Sequence, residues 1–365
     1  VAHRIAECVR ESVALSRLGG DEFSIILSDP GDLANVAAIA RHIIDTLRKP
    51  FALDADKVFI SASVGIALFP DDGADVQHLL RHADQAMYAA KNAGRNRSCY
   101  FTRSLQDIAQ ARMSLTNDLR EALAGKQFEV HYQPIVELAS GDIRKAEALI
   151  RWNHPARGLV SPVDFIPLAE ASGLILDIGK WVFMQAADQV LRMRAMGMPT
   201  FQISVNVSPV QFRNGGALSL LWPKHLAALG LPPQSMVIEI TEGLLLDLNP
   251  EVKDTLIAFG AAGVQVALDD FGTGYSSLAY LKKFDIDYLK IDRAFVSNLE
   301  ADPNDRALCE AIIVMAHKLG LRVIAEGVET AAQRDLLAAA GCDFAQGYLY
   351  SRPLPASRFE EFFRR

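Results

Sequence analysis

The segment Val264–Asp292, VQVALDDFGTGYSSLAYLKKFDIDYLKID, decides how the rest of the chain is read. An apolar strand runs into adjacent Asp269 and Asp270 and then a glycine loop; a second strand follows and ends in Lys290 and Asp292. Neighbouring carboxylates repel and stay ionised together only when a cation holds them. A metal site at the mouth of a strand is therefore the first reading, and a plain Asp- and Gly-rich turn is the alternative.

Outward from this segment, apolar strands alternate with helical stretches from Phe128 to the end, the signature of an α/β domain. The candidate strands are FEVHYQPIVEL, AEALIRW, FQISVNVS, MVIEIT, VQVALDD, DYLKID, RVIAEGV and FAQGYLY. Eight strands over about 250 residues fit a (β/α)8 TIM-like barrel. A doubly wound open sheet is the rival, but no Gly-x-Gly-x-x-Gly turn follows the first strand. Glu147, Asn206, Glu239, Asp269, Lys290, Glu326 and Gln346 fall within or near the ends of seven successive strands. A barrel gathers such ends into one mouth. Residues two apart share a face, so Ser204, Asn206 and Ser208 go together, as do Glu147 with Arg151 and Lys290 with Asp292. Asp269 and Asp270 should point oppositely within a strand, so the strand is expected to end there.

Residues 1–102 read differently, as a short α+β unit with a hairpin around Leu18–Phe23, a strand over VFISASVGIALF, and helices near 33–48 and 75–90. A polar, helix-compatible stretch, 103–118, links it to a domain over 119–365. The chain has 365 residues, enough for two cores. It has no apolar run near the ~20 residues of a membrane span. It opens without an initiator Met, so a longer parent is expected, which leaves an upstream sensor or membrane segment open. The four cysteines show neither metal nor disulfide spacing, which suits a reducing cytoplasm. A net charge of −7 argues against binding a nucleic-acid polymer.

The candidate site is rich in oxygen donors, which select Mg²⁺, Mn²⁺ or Ca²⁺ over Zn²⁺. With no Gly-x-Ser-x-Gly turn and no cysteine with an evident base, nucleophilic covalent catalysis is disfavoured. Two chemistries stay open on residue types alone: two-metal hydrolysis of a phosphodiester, and Mg²⁺-assisted proton abstraction beside a carboxylate with Lys290 as base.

Glu147-Ala148-Leu149-x-Arg151 resembles the signature of the EAL domain, the cyclic di-GMP phosphodiesterase module of bacteria. HYQPIVEL, RWNHP, FIPLAEASGLI, SVNVS, IEITE, DDFGTGYSSL, YLKIDRAFV, IAEGVET and QGYLYSRPL resemble that family in order and spacing across 119–365. The resemblance implies that Glu147, Asn206, Glu239 and Asp269 hold one Mg²⁺ or Mn²⁺ ion, with Asp269 and Asp270 holding a second. It implies Glu326 as general base or ion ligand, and Lys290 orienting the attacking water and meeting the phosphate. Arg151 would bind a substrate phosphate, Asp292 and Gln346 would line the pocket, and Glu242 would brace the loop Phe271–Ser277. Removing Lys290 is expected to slow chemistry but spare folding. The implied reaction is hydrolysis of cyclic di-GMP to linear pGpG by a homodimer. Some members of the family bind without cleaving because ligands are lost; here the set is complete.

Gly19-Gly20-Asp21-Glu22-Phe23 and the KNAGRNR stretch resemble the C-terminal part of a GGDEF domain, the diguanylate cyclase module. That family's other metal-binding aspartate lies upstream of the part seen here. Where its inhibitory site has Arg-x-x-Asp, this chain has Arg10 followed by Val13. The segment is expected to be non-catalytic, and two readings stay open: a regulatory or dimerising role, or an inert remnant.

Overall fold

The computed structural model describes residues 1–9, 13–28, 33–53, 56–212, 217–246, 250–272 and 284–364. The chain forms two compact units, Val1–Leu115 and Thr116–Arg365. The linking helix runs Arg103–Ala122, a turn beyond the expected 103–118.

In the first unit, Val13–Gly19 and Glu22–Leu27 form the antiparallel hairpin, with Gly19 opposite Glu22. Its apex requires Gly20 at φ +52, a left-handed conformation that only glycine takes without strain. Helices occupy Leu33–Leu47 and Val76–Asn92, the latter capped by Asp75, which accepts from the His78 N–H. The strand expected over VFISASVGIALF is divided. Asp56–Val58 pairs with Phe51–Leu53, and Val64–Ile66 with Ser98–Tyr100, so two different partners break one apolar run into two short ladders.

In the second unit eight strands close a barrel: β1 Phe128–Glu137, β2 Ile143–His154, β3 Gln202–Asn206, β4 Met236–Thr241, β5 Gln265–Phe271, β6 Tyr288–Ile291, β7 Arg322–Ala325 and β8 Phe344–Gln346. Strands β2 to β8 are parallel in that order. The barrel departs from eight repeated β/α units at β1, which is antiparallel to both β2 and β8. Only residues 138–142 separate β1 from β2. A parallel crossover needs a dozen residues or more, so a hairpin is the only connection available.

Strand parity does the rest. The outward set, including Ile203, Val205, Ile238, Ile240, Val266, Leu268, Leu289, Ile291 and Val323, is apolar and buried. Helices such as Ile175–Ala195 and Pro303–Lys318 pack against these strands. Burying each such side chain is worth roughly 1.5–3 kcal/mol. The inward set is layered along the barrel axis. Ile135, Val237, Ala267, Tyr288, Ile324 and Phe344 form an apolar middle layer. Lys145 and Gln202 lie two residues before Glu147 and Ser204, toward the strand starts. Polar and charged residues follow at the strand ends.

Candidate active site

The mouth of the barrel is organised around Lys290, which is 0% exposed. Its ammonium lies 2.5 Å from Glu326, 2.7 Å from Glu239, 3.2 Å from Asp269 and 3.7 Å from Glu147. Asn206 Nδ2 donates to Glu147 Oε1 at 2.6 Å, and Gln346 Nε2 donates to Glu147 Oε2 at 2.6 Å. Five of the seven strand-end residues singled out in the sequence thus meet around the Lys290 ammonium, and Asn206 and Gln346 join them through Glu147.

Asp269 and Asp270 reach the site differently from the sequence expectation. The strand does not end at Asp269; β5 continues to Phe271. Register jumps from Leu268 opposite Leu289 to Phe271 opposite Ile291, so both aspartates stand against Lys290 in a bulge. Asp270 takes a left-handed φ of 55°, uncommon for a residue with a side chain. Its N–H donates to Asp269 Oδ1 at 3.0 Å. Asp269 stays buried while Asp270 is exposed. Strain of this kind persists where surrounding structure over-determines it, commonly at functional sites.

Asp292 caps the helix Arg293–Ser297, its Oδ1 accepting from the Ala294 N–H at 2.8 Å. Its carboxyl also interacts with that of Asp270, beside the mouth. Arg151 is half-buried on the strand that carries Glu147. Glu242 is buried, and its Oε2 accepts from the Gly272 N–H at 3.2 Å. Gly272 sits at φ +98, where a Cβ would come within 2.9 Å of the Phe295 ring. The remainder of the loop expected over Phe271–Ser277, Gly274 included, lies outside the described residues, as do Arg10, Glu11 and Ser12. Gly19, Gly20, Asp21, Glu22 and Phe23 belong to the hairpin of the first unit.

Crowding four carboxyls around one ammonium splits their proton affinities. Burial disfavours the Lys290 ammonium, but Glu147, Glu239, Glu326 and Asp269 together outweigh it and raise its pKa well above that of an ordinary lysine. Burial and then the Glu147 charge push the Glu239 carboxyl well up. Burial raises Glu326 to about 8 despite Lys290 beside it. Burial also opposes ionisation of Glu147, yet Lys290 and the hydrogen bonds from Gln346 and Asn206 prevail and hold it below the usual carboxylate range. Burial, then Asp269 and Asp292, raise Asp270. The site is an acid cluster short of positive charge.

Those properties fit a hard divalent ion. Every candidate donor is oxygen, and Glu239 Oε1 is buried with no hydrogen-bond partner among the described residues. As the side chains lie, no three Asp, Glu, His or Cys residues among those described converge on one ion position. The carboxylates face the Lys290 ammonium instead.

Sequence reasoning overlooked Gln133. It is buried directly opposite Glu147 across the β1–β2 ladder, and its Oε1 accepts from Gln346 Nε2 at 3.0 Å. The signal was its parity with inward-facing Ile135. The expectation that losing Lys290 spares folding also gives way, because its removal leaves several buried carboxyls uncompensated.

Comparison with known proteins adds an independent line. The EAL domain family matches residues 116–353, and the Diguanylate cyclase, GGDEF domain family matches residues 1–97. The bifunctional diguanylate cyclase/cyclic di-GMP phosphodiesterase MucR of Pseudomonas aeruginosa is 41% identical over 358 residues, 98% of this chain and 52% of that protein. The cyclic di-GMP phosphodiesterase PdeR of Escherichia coli is 39% identical over 365 residues, 100% of this chain and 55% of that protein. The chain spans about half the length of these curated relatives. The solved PaMucR phosphodiesterase in complex with c-di-GMP has a TM-score of 0.64 at 41% identity, covering 67% of this chain and 99% of that one. No helix among the described residues is long and apolar enough to cross a membrane.

Proposed function

This chain belongs to the EAL domain family across residues 116–353, and on that premise we propose that it hydrolyses cyclic di-GMP, opening one 3′–5′ phosphodiester to give linear pGpG. The observation that carries the reading is the ring of Glu147, Glu239, Asp269 and Glu326 about Lys290 at the strand ends. The activity named for PdeR and the ligand bound by the PaMucR phosphodiesterase support the choice of substrate.

Glu147, Asn206, Glu239 and Asp269 would hold one Mg²⁺ or Mn²⁺ ion, and Asp269 with Asp270 a second. Two such ions, when bound, supply hydroxide from water and stabilise both oxygens of an in-line displacement. Glu326 serves as general base or as a further ligand. Lys290 keeps its proton at neutral pH and directs a positive charge at the attacking water and the phosphate. Arg151 holds a substrate phosphate, while Asp292 and Gln346 line the pocket beside it. Glu242 fixes the start of the loop after β5 through Gly272. The first unit is non-catalytic in this chain and acts in regulation or dimerisation of a longer cytoplasmic or membrane-anchored parent.

The test is turnover of cyclic di-GMP by the purified chain in Mg²⁺ or Mn²⁺, with product identified by chromatography and EDTA as control. Metal-dependent pGpG is the expected result. Tight binding without product would make the chain a receptor instead.

A further inference from the structure

We propose that Gln133 is a positioning residue for Glu147, acting through Gln346 along a one-way chain of amide hydrogen bonds. The inference rests on the reading of Glu147 as an ion ligand. Chemistry fixes the direction of the chain at both ends. An ionised carboxylate only accepts, so Gln346 must turn its NH₂ toward Glu147 Oε2, 2.6 Å away. The same nitrogen lies 3.0 Å from the Gln133 amide, which must therefore offer its oxygen there. That turns the Gln133 NH₂ to the Ser351 carbonyl oxygen at 3.1 Å, and a backbone carbonyl also only accepts. Both amide orientations follow without any hydrogen being located.

The fold builds this relay at the seam where β1 runs antiparallel to its neighbours. Because β1 is antiparallel, Gln133 stands directly opposite Glu147 on β2, while Gln346 pairs with Ile135 from β8 on the other side. Gln133, Gln346 and Glu147 are all buried. Both amide hydrogens of Gln346 are committed, and its Oε1 has no partner among the described residues. Turning this amide over would move its NH₂ to the side of the unpaired oxygen at the cost of both donated bonds. Gln133 opposes that flip, since turning Gln346 would bring two amide oxygens face to face and set an oxygen against a carboxylate. Without Gln133, only the Glu147 contact holds the Gln346 donor in place, and Glu147 loses part of what fixes its orientation.

The test is a double-mutant cycle on Mn²⁺ affinity, measured by calorimetry on the full chain without substrate, using Gln133→Met, Gln346→Met and the pair. Gln133→Met is expected to weaken Mn²⁺ binding about tenfold, in the range for residues that orient metal ligands. In the Gln346→Met background it should weaken binding no further, because the two act in series. Wild-type affinity in Gln133→Met, or a full additional loss in the double variant, would overturn the proposal. A wild-type chain that binds no Mn²⁺ would instead refute the ion reading itself. The relay is then judged by NMR exchange of the Gln346 side-chain NH₂, slow in the wild type and several-fold faster in Gln133→Met; equal rates would overturn it.

Discussion

Lys290 at the mouth of the barrel and Lys145 near the strand starts are both buried, 0% and 8% exposed, yet their surroundings treat the same charge in opposite ways. Four carboxyls within 4 Å of the Lys290 nitrogen hold it protonated. Lys145 meets neutral acceptors, Gln202 Oε1 and the Tyr288 hydroxyl at 2.7 Å, with the Tyr288 ring 4.3 Å beneath it. Burial, reinforced by the nearby Arg322 charge, lowers its pKa to about 7. The floor is also closed in hydrogen bonding: Gln202 donates to Gln265 at 2.8 Å, and Gln265 to Asp287 at 2.8 Å. Among the described residues, none of Lys145, Gln202, Gln265 or Tyr288 leaves a buried polar atom without a partner, whereas Glu239, Glu242 and Gln346 each do. Burial alone decides neither charge nor role. A satisfied polar network braces a barrel end; at the mouth the acids outnumber the one lysine they face, and Glu239 Oε1 stays unpaired among the described residues.

The comparison breaks first on activity. Glu147→Ala should reduce hydrolysis to the level of the EDTA control in a chromatographic assay, while Gln202→Ala at the floor should leave turnover within about threefold of wild type, as expected away from the chemistry. Next comes stability without metal. Lys290→Met should lower the unfolding free energy by about 3–5 kcal/mol in urea titrations, the range for breaking a buried ion pair from one side. Added Mn²⁺ should recover part of the loss.

A pH series sharpens the contrast at the other end. Folding lowers the Lys145 pKa, so between pH 7 and the ordinary lysine value the unfolded chain holds more protons, and this residue's contribution makes stability rise with pH. Below pH 7 the penalty is present in full. Lys145→Met should therefore be most favourable relative to wild type at pH 6, with that advantage shrinking by about 1.4 kcal/mol per unit across the window. The smallest effect concerns the ion. Glu326 holds a proton up to about pH 8, and a ligand carboxyl must lose it. Mn²⁺ affinity should thus tighten by up to roughly tenfold per pH unit between pH 6 and 8 and level off above. A flat profile would remove Glu326 from the site's proton balance.

Much of this was legible in the sequence, because strand period and barrel geometry act through local pattern. Alternation in SVNVS and the polar residue closing each apolar run identified the inward face and hence the mouth. The reversed β1 was legible too, since five residues cannot carry a crossover, but matching eight strands to a regular barrel hid it. The bulge at Asp270 was not, because it depends on how β6 pairs across from it. The floor escaped notice because Lys145, Gln202 and Gln265 look like ordinary polar strand starts until the ring closes around Tyr288.

The seam formed by β1 bears on how the molecule comes into being. The β1–β2 hairpin joins near neighbours in the chain and can form as soon as both strands exist, whereas β1 and β8 meet across almost the whole domain. Contacts of such separation form late and slowly. On the ribosome, which releases the N-terminal part first, Gln133 and Glu147 emerge close together, but Gln346 arrives only after the seven other barrel strands. Assembly of the mouth therefore waits on β8, and a chain stopped short of that strand holds its acids without the residue that orients them.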